Sequence, residues 1–232
     1  MKIIYRISDA GYSKVKPTYI NNEACLKNFC NIFFDHIHDI NIIADNCSKS
    51  TLDMIAKYID PINIEKVSVG HGAGTFNLAL DIALMYADDE IVYFVENDYL
   101  HKQQSPKVIK EGLSLGASFV SLYDHPDKYL DPSRGGNPYC QGAAEDTRVY
   151  LTESSHWKMT NSTTMTFAST VETLKRVELI LRKYTNQGHY PDDFKMFLEL
   201  REQNELLITP LPGYATHGES AWLSPLTDWS NI

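Results

Sequence analysis

A chain of 232 residues is long enough to bury a full core, as one large α/β unit or two small ones. Its 43% hydrophobic and 22% charged residues are ordinary for a soluble globular protein. The formal net charge of -9 argues against broad charge-driven binding to nucleic acid or to an anionic membrane, so an anionic substrate would need a metal or a few placed cations.

The N-terminus runs straight into Lys2-Ile3-Ile4-Tyr5-Arg6, and residues 2–8 predict a first strand. No apolar segment has signal-peptide length and no run approaches a membrane span, so the expectation is a cytoplasmic protein without an integral membrane segment. Asp9-Ala10-Gly11-Tyr12-Ser13 and Pro17 make a loop. Asn21-Asn22 then offers a helix start, and Ala24, Leu26, Phe29, Ile32 and Phe33 supply a helical apolar face through residue 37. Residues 40–44 predict a second strand, ending at Asp45-Asn46-Cys47-Ser48. The next helix is capped near Ser50 or Thr51, carries Leu52, Ile55 and Ile59, and stops at Pro61. Residues 62–69 alternate as a third strand, and Gly70-His71-Gly72-Ala73-Gly74-Thr75 turns into a helix over 76–86. A fourth strand is the apolar run from Ile91 to Val95, ending abruptly in Glu96-Asn97-Asp98. Strands alternating with helices in this way imply an α/β fold with a mostly parallel, doubly wound sheet.

The second half is less regular. Residues 105–115 read as a helix, 118–123 as a strand, and 124–146 as a long loop rich in Asp, Pro and Gly, of the kind that is usually functional. Strand-like runs follow at 148–152 and 163–168 with Trp157 between them, then a helix over 171–184 and another opened by Gly188-His189-Tyr190-Pro191-Asp192-Asp193. The tail from Pro210 carries Tyr214, His217, Trp222 and Trp229, which is too aromatic for a disordered end. Cys25, Cys30, Cys47 and Cys140 show no paired spacing and read as buried or incidental thiols. No linker composition separates two domains, so residues 1–98 read as the nucleotide half and 99–232 as the acceptor half of one domain.

Asp45 ends the second strand as Glu96 and Asp98 end the fourth, so all three acids should lie along one edge of the sheet, where ligands of open α/β sheets bind. Hard divalent cations are held there by one or two carboxylates together with substrate phosphates. Each acid also has a structural reading: Asn97-Asp98 as a turn and Asp45 as a helix cap. The Gly70-x-Gly72-x-Gly74 turn sits where a dinucleotide or adenosyl-methionine fingerprint would, but on the third strand and with Thr75 in the last position. Pro191-Asp192-Asp193 suits a helix N-terminus, with one carboxylate available as a general base. His217, flanked by small residues, can fold back as an imidazole ligand of manganese beside carboxylates.

With these residues in place the chain resembles the nucleotide-sugar-dependent glycosyltransferases of the GT-A fold, closest to the inverting family-2 type and its small viral and phage-type relatives. The resemblance spans nearly the whole chain in the right order. It implies that Asp45 contacts the nucleobase, that Gly70 to Asn77 matches a Gly-rich turn followed by an inward Asn, and that Glu96-Asn97-Asp98 stands for the DxD motif at the metal and donor diphosphate. Glu96 departs from that motif, which leaves Asp98 as the metal ligand and Glu96 as a contact to the ribose or at the margin of the metal site. Asp193, within the acidic pair Asp192-Asp193, corresponds to the general base, and His217 to a late histidine completing the shell of Mn2+ or Mg2+. Arg6, Ser8 and Asn97 would join Asp45 and Asn77 around the nucleotide, uridine being the base that an Asp accepts from, and Trp157 and Trp222 could stack on sugars. The implied activity is transfer of a sugar from a UDP-sugar to an acceptor hydroxyl of a glycan or other molecule, with inversion. A sugar-phosphate nucleotidyltransferase shares the sheet and a metal, but normally carries a basic Gly-rich loop after strand one, where Ser8 to Ser13 has one Gly and no Arg. A silent nucleotide or glycan binder on the same fold is the remaining alternative.

Overall fold

The computed structural model describes residues 1–10, 14–140, 142 and 144–232. Gly11, Tyr12 and Ser13 of the expected first loop, and Gln141 and Ala143 of the expected loop 124–146, lie outside the described residues. The strands are β1 Lys2–Ser8, β2 Ile40–Asp45, β3 Ile64–Val67, β4 Ile91–Glu96, β5 Tyr99–His101, β6 Phe119–Val120, β7 Val149–Leu151, β8 His156–Met159, β9 Phe167–Thr170, β10 Leu207–Leu211 and β11 Ala215–His217. The helices are α1 Asn22–Ile32, α2 Lys49–Ile55, α3 Gly72–Ala83, α4 Ser105–Ser114, α5 Val171–Thr185 and α6 Asp193–Glu202.

A 9-stranded sheet has the order β3-β2-β1-β4-β9-β6-β10-β8-β7, and a 2-stranded sheet pairs β11 with β5. In the large sheet β8 and β9 run against the other strands, so the sheet is mostly parallel in direction. Side chains alternate between its faces. Ile3, Tyr5, Ile7, Tyr93 and Val95 pack with Leu26 and Phe29 of α1, Ile55 of α2 and Ile109 of α4. Ile4, Ile43, Val92 and Phe94 pack on the other face with Phe76 and Leu80 of α3, Leu174 of α5 and Phe197 of α6. The central strands are covered on both faces, which is why β1 and β4 read as nearly continuous apolar runs.

Several boundaries shift for local reasons. α1 stops at Ile32 and gives way to a 3-10 segment at Phe34–Asp39 that runs directly into β2 at Ile40. α3 starts a turn early because His71 is its N-cap, its Nδ1 accepting from Gly74 N at 3.0 Å. The strand expected from residue 163 begins only at Phe167, since Thr164 and Met165 take φ of 46° and 56°. β8, β10 and β11 come where the sequence pattern offers no strand, because their partners are distant in the chain: β10 pairs with β8 and β6, and β11 with β5.

Candidate active site

The parity of the strands places the acids. Arg6 follows Ile4, Asp45 follows Ile43 and Glu96 follows Phe94, each by two residues, so all three side chains share the α3, α5 and α6 face at the carboxyl ends of adjacent strands. The register sets Arg6 opposite Glu96 and Ser8 opposite Asp45. Together they open on a cleft of about 490 Å³, a volume that suits a small-molecule ligand.

Arg6 is buried at the floor of this cleft, where both terminal nitrogens meet protein acceptors and its Nε has no partner. Its Nη1 donates to Gly72 O (3.0 Å) and Thr75 Oγ1 (3.4 Å), and its Nη2 to Glu96 Oε1 (3.0 Å) and Met165 O (3.2 Å). Asp45, also buried, spends both oxygens on the glycine turn: Oδ1 accepts from Val69 N at 2.7 Å and Oδ2 from Gly70 N at 2.9 Å. Gly70 has φ of +83°, a backbone region that L side chains rarely adopt. The carboxylate therefore anchors the turn that leads into α3.

Asp98 sits in the turn between β4 and β5. The pairing of β5 with β11 puts His217 opposite Tyr99, one residue past Asp98, and brings His217 Nε2 to 3.3 Å from Asp98 Oδ2. Close packing depends on Gly218, where a Cβ would come within 2.5 Å of Ile20 Cγ2 and 2.8 Å of Asp98 O. Two lysines from the loop after β1 complete the cluster. Lys16 Nζ donates to Asp98 Oδ2 at 3.0 Å, and Lys14 Nζ lies 2.9 Å from His217 Nε2 and 3.9 Å from Glu219 Oε2. Burial alone would raise the Asp98 carboxyl, but the His217 contact and the ammonium groups of Lys16 and Lys14 outweigh it and hold it well below the usual carboxylate range.

Asp193, the first residue of α6, also lines the cleft. Its Oδ2 accepts from Thr163 N (2.8 Å) and Thr164 N (2.7 Å), fixing the left-handed loop that also bonds Arg6 through Met165 O. Tyr99 supports the same loop, its hydroxyl donating to Thr163 O at 3.1 Å. His71, His189 and Tyr190 line the cleft as well, the two imidazoles meeting edge to face with centroids 5.0 Å apart.

Of the residues singled out from the sequence, Arg6, Ser8, Asp45, Glu96, Asn97, Asp98 and Asp193 line the cleft, and His217 stands behind Asp98, 2% exposed. Four do not reach it. Asn77 faces away and ties α3 to the end of α5, donating to Thr185 O and accepting from Thr185 Oγ1. Asp192 caps α6 through Lys195 N and pairs with Lys195 Nζ at 2.7 Å, outside the lining. Trp157 is wholly buried in β8 with its indole donating to Thr152 Oγ1, so no sugar can stack on it. Trp222 packs its half-buried ring 5.4 Å from that of His125, away from the cleft. Sequence reasoning missed Lys14, Lys16, Thr164 and Met165. The Lys14-x-Lys16 pair just after the first strand was the available signal for the lysines; a Thr-Met step in left-handed conformation has none.

A carboxylate and an imidazole 3.3 Å apart are donors that manganese accepts. The donor set nevertheless does not fit a resident Mn2+ or Mg2+ centre. Glu96 is held by Arg6, the Asp98 oxygen nearest His217 is taken by Lys16, and His217 Nε2 faces Lys14, which leaves only Asp98 Oδ1, buried without a partner, as an open donor. Among the described residues no group of three His, Cys, Asp or Glu side chains could hold a metal.

No protein-family model and no curated protein matches the chain. Among solved structures, GalNAc-T7 with UDP, GalNAc and Mn2+ aligns with a TM-score of 0.61 at 10% identity, covering 96% of this chain and 44% of that one. TarS residues 1–349 of S. aureus aligns at 0.51 with 15% identity, covering 93% and 60%. CMP:2-keto-3-deoxy-manno-octonic acid synthetase complexed with CTP aligns at 0.50 with 10% identity, covering 95% and 93%. The chain thus spans about half the length of the two glycosyltransferases it is similar to, and identities this low speak of fold. No helix among the described residues is long and apolar enough to cross a membrane. The mixed sheet, its helical layers and the cleft at the strand ends are those of the GT-A fold, in an outline that nucleotidyltransferases share.

Proposed function

We propose that this chain is a glycosyltransferase that moves a sugar from a UDP-sugar to an acceptor hydroxyl, with inversion, in the cytoplasm. The observation that supports the reading is that one cleft gathers Asp98 with two lysines and Asp193 held by two backbone N–H groups. In this reading the donor diphosphate lies against Lys14 and Lys16 and the anomeric carbon is presented toward Asp193. The acceptor oxygen attacks that carbon, the bond to the diphosphate oxygen breaks with its electron pair leaving on UDP, and the acceptor proton passes to Asp193 Oδ1. The bonds to Oδ2 hold the carboxylate in place for that transfer. A Mn2+ or Mg2+ ion would have to displace Lys14 from His217 Nε2, and at Asp98 would meet the Lys16 ammonium on Oδ2 with only Oδ1 open.

A second reading has support of its own. The synthetase complexed with CTP is matched over nearly its whole length, and the lysines after β1 are the kind of basic residue a sugar-phosphate nucleotidyltransferase carries there. Product analysis separates the two. Incubation with a panel of nucleotide sugars and hydroxyl acceptors should release free UDP without pyrophosphate. Pyrophosphate from a nucleoside triphosphate and a sugar phosphate would assign the nucleotidyltransferase instead. Binding of UDP with no turnover of either kind would leave a silent binder.

A further inference from the structure

The lining of the cleft poses a charge problem. A donor diphosphate brings negative charge into a site already lined by Asp45, Glu96, Asp98 and Asp193, on a chain of net charge -9. Among the described lining residues the permanent cations are Arg6, Lys14 and Lys16. Arg6 is committed at the floor, with both terminal nitrogens bonded to protein oxygens and its side chain 5% exposed. Lys16 is different: its side chain is 33% exposed and reaches Asp98 from a loop rather than from a strand.

We propose that Lys14 and Lys16 supply the positive charge for the donor diphosphate at the position where Asp98 and His217 would otherwise hold a divalent cation. The inference rests on the nucleotide-sugar reading and deepens it. A metal bound by this pair needs the Nε2 lone pair of His217 and an oxygen of Asp98. An ammonium already stands 2.9 Å from Nε2 and another 3.0 Å from Oδ2, the Asp98 oxygen nearest that imidazole, while Oδ1 is buried without a partner. Together the two ammonium groups carry the formal charge of one divalent ion. Asp98 and His217 then act as positioning residues: they hold the lysine heads at the cleft, and each ammonium turns from its protein partner to a phosphate oxygen when the donor binds.

Calorimetric titration of UDP and of uridine, in chelator and in Mn2+, tests this with the wild type, Lys14→Met, Lys16→Met and Lys16→Arg. The wild type should bind UDP with the same affinity in chelator and in Mn2+. Each Met variant should weaken UDP in chelator by about tenfold or more, the expected loss of one charge-assisted bond to phosphate. Lys16→Arg should retain most of it, and uridine, which has no phosphate, should bind all variants alike. That last readout separates a phosphate contact from a structural role. UDP binding that appears only with Mn2+, unchanged or tightened in the Met variants, overturns the inference and leaves the glycosyltransferase reading standing. Absence of binding by any nucleotide in either condition overturns both.

Discussion

Glu96 shows how one side chain can be legible as an acid and still have another task. It extends from the end of β4 to the buried guanidinium of Arg6, whose own position depends on two carbonyls from separate segments, Gly72 O and Met165 O. Replacing Glu96 by Gln leaves a buried cation without its counter-charge, and stability should fall by about 3 kcal/mol, read as a lower urea midpoint with unchanged slope. An unaltered midpoint would mean that solvent satisfies Arg6. Asp193 gives the complementary case. In Asp193→Asn the amide oxygen can still accept from Thr163 N and Thr164 N, so the loop is retained while the basic oxygen is lost. UDP affinity should stay constant and kcat should fall by about a hundredfold or more, and an equal kcat would move the base elsewhere.

At the scale of elements, the site is assembled by short connections. The β4 to β5 turn carries Asp98, β11 brings His217 beside it, and the chain after β1 delivers the lysines. At Gly218, just past β11, a methyl group would meet both the Ile20 side chain, at 2.5 Å, and the backbone oxygen of Asp98, at 2.8 Å. Gly218→Ala should therefore shift the tail away from Asp98, lowering the melting temperature by a few degrees and weakening UDP binding in the same protein. Loss of stability with full UDP affinity would show that the His217 contact is dispensable for the donor. The Thr163-Met165 loop, left-handed at Thr164 and Met165, works at the same scale: it turns a carbonyl to Arg6 and the N–H groups of Thr163 and Thr164 to Asp193, coupling those two side chains.

For the whole molecule, acid sensitivity follows from the packing of the sheet and α1. His101 is fully buried among the rings of Phe29, Phe33 and Tyr93, its Nε2 meets the Tyr93 hydroxyl at 2.8 Å, and its Nδ1 has no partner. Burial pushes its pKa down to about 3. The unfolded chain takes up a proton below about 6.5 while the folded chain does so only near 3, so the folded state is fully favoured above that window and loses stability as pH falls through it. Between pH 6.5 and 5 the loss should be about 1 to 2 kcal/mol in urea titrations. The upper part of this window lies above the carboxylate range, and Asp127, held down to about 2 against burial by His125 and Lys128, titrates well below it. His101→Gln should flatten the curve there, and an equally steep curve in that variant would assign the proton uptake to another group.

The sequence by itself determined the elements whose signal is local. Apolar runs in β1 and β4, the cap at Asn21 and the helical stripe of α5 each specify themselves through neighbours a few residues away, and strand parity then places Asp45 and Glu96 on one edge, whereas the cap of α2 falls at Ser48 rather than at Ser50 or Thr51. With the resemblance, this was enough to expect the GT-A fold. Tertiary structure decided what depends on distant pairing. Asn77 and Trp157 lie in well-formed elements but point to α5 and to the core, a choice set by the partner packed against each face. His217 meets Asp98 only because β11 pairs with β5 across more than a hundred residues of chain. Lys14 and Lys16 lie in a loop with no periodicity to orient them, and their direction is fixed by the carboxylate and the imidazole they find. Short-range patterns carry the fold because burial is periodic along the chain, whereas the charges of the cleft are arranged by contacts that no local period encodes.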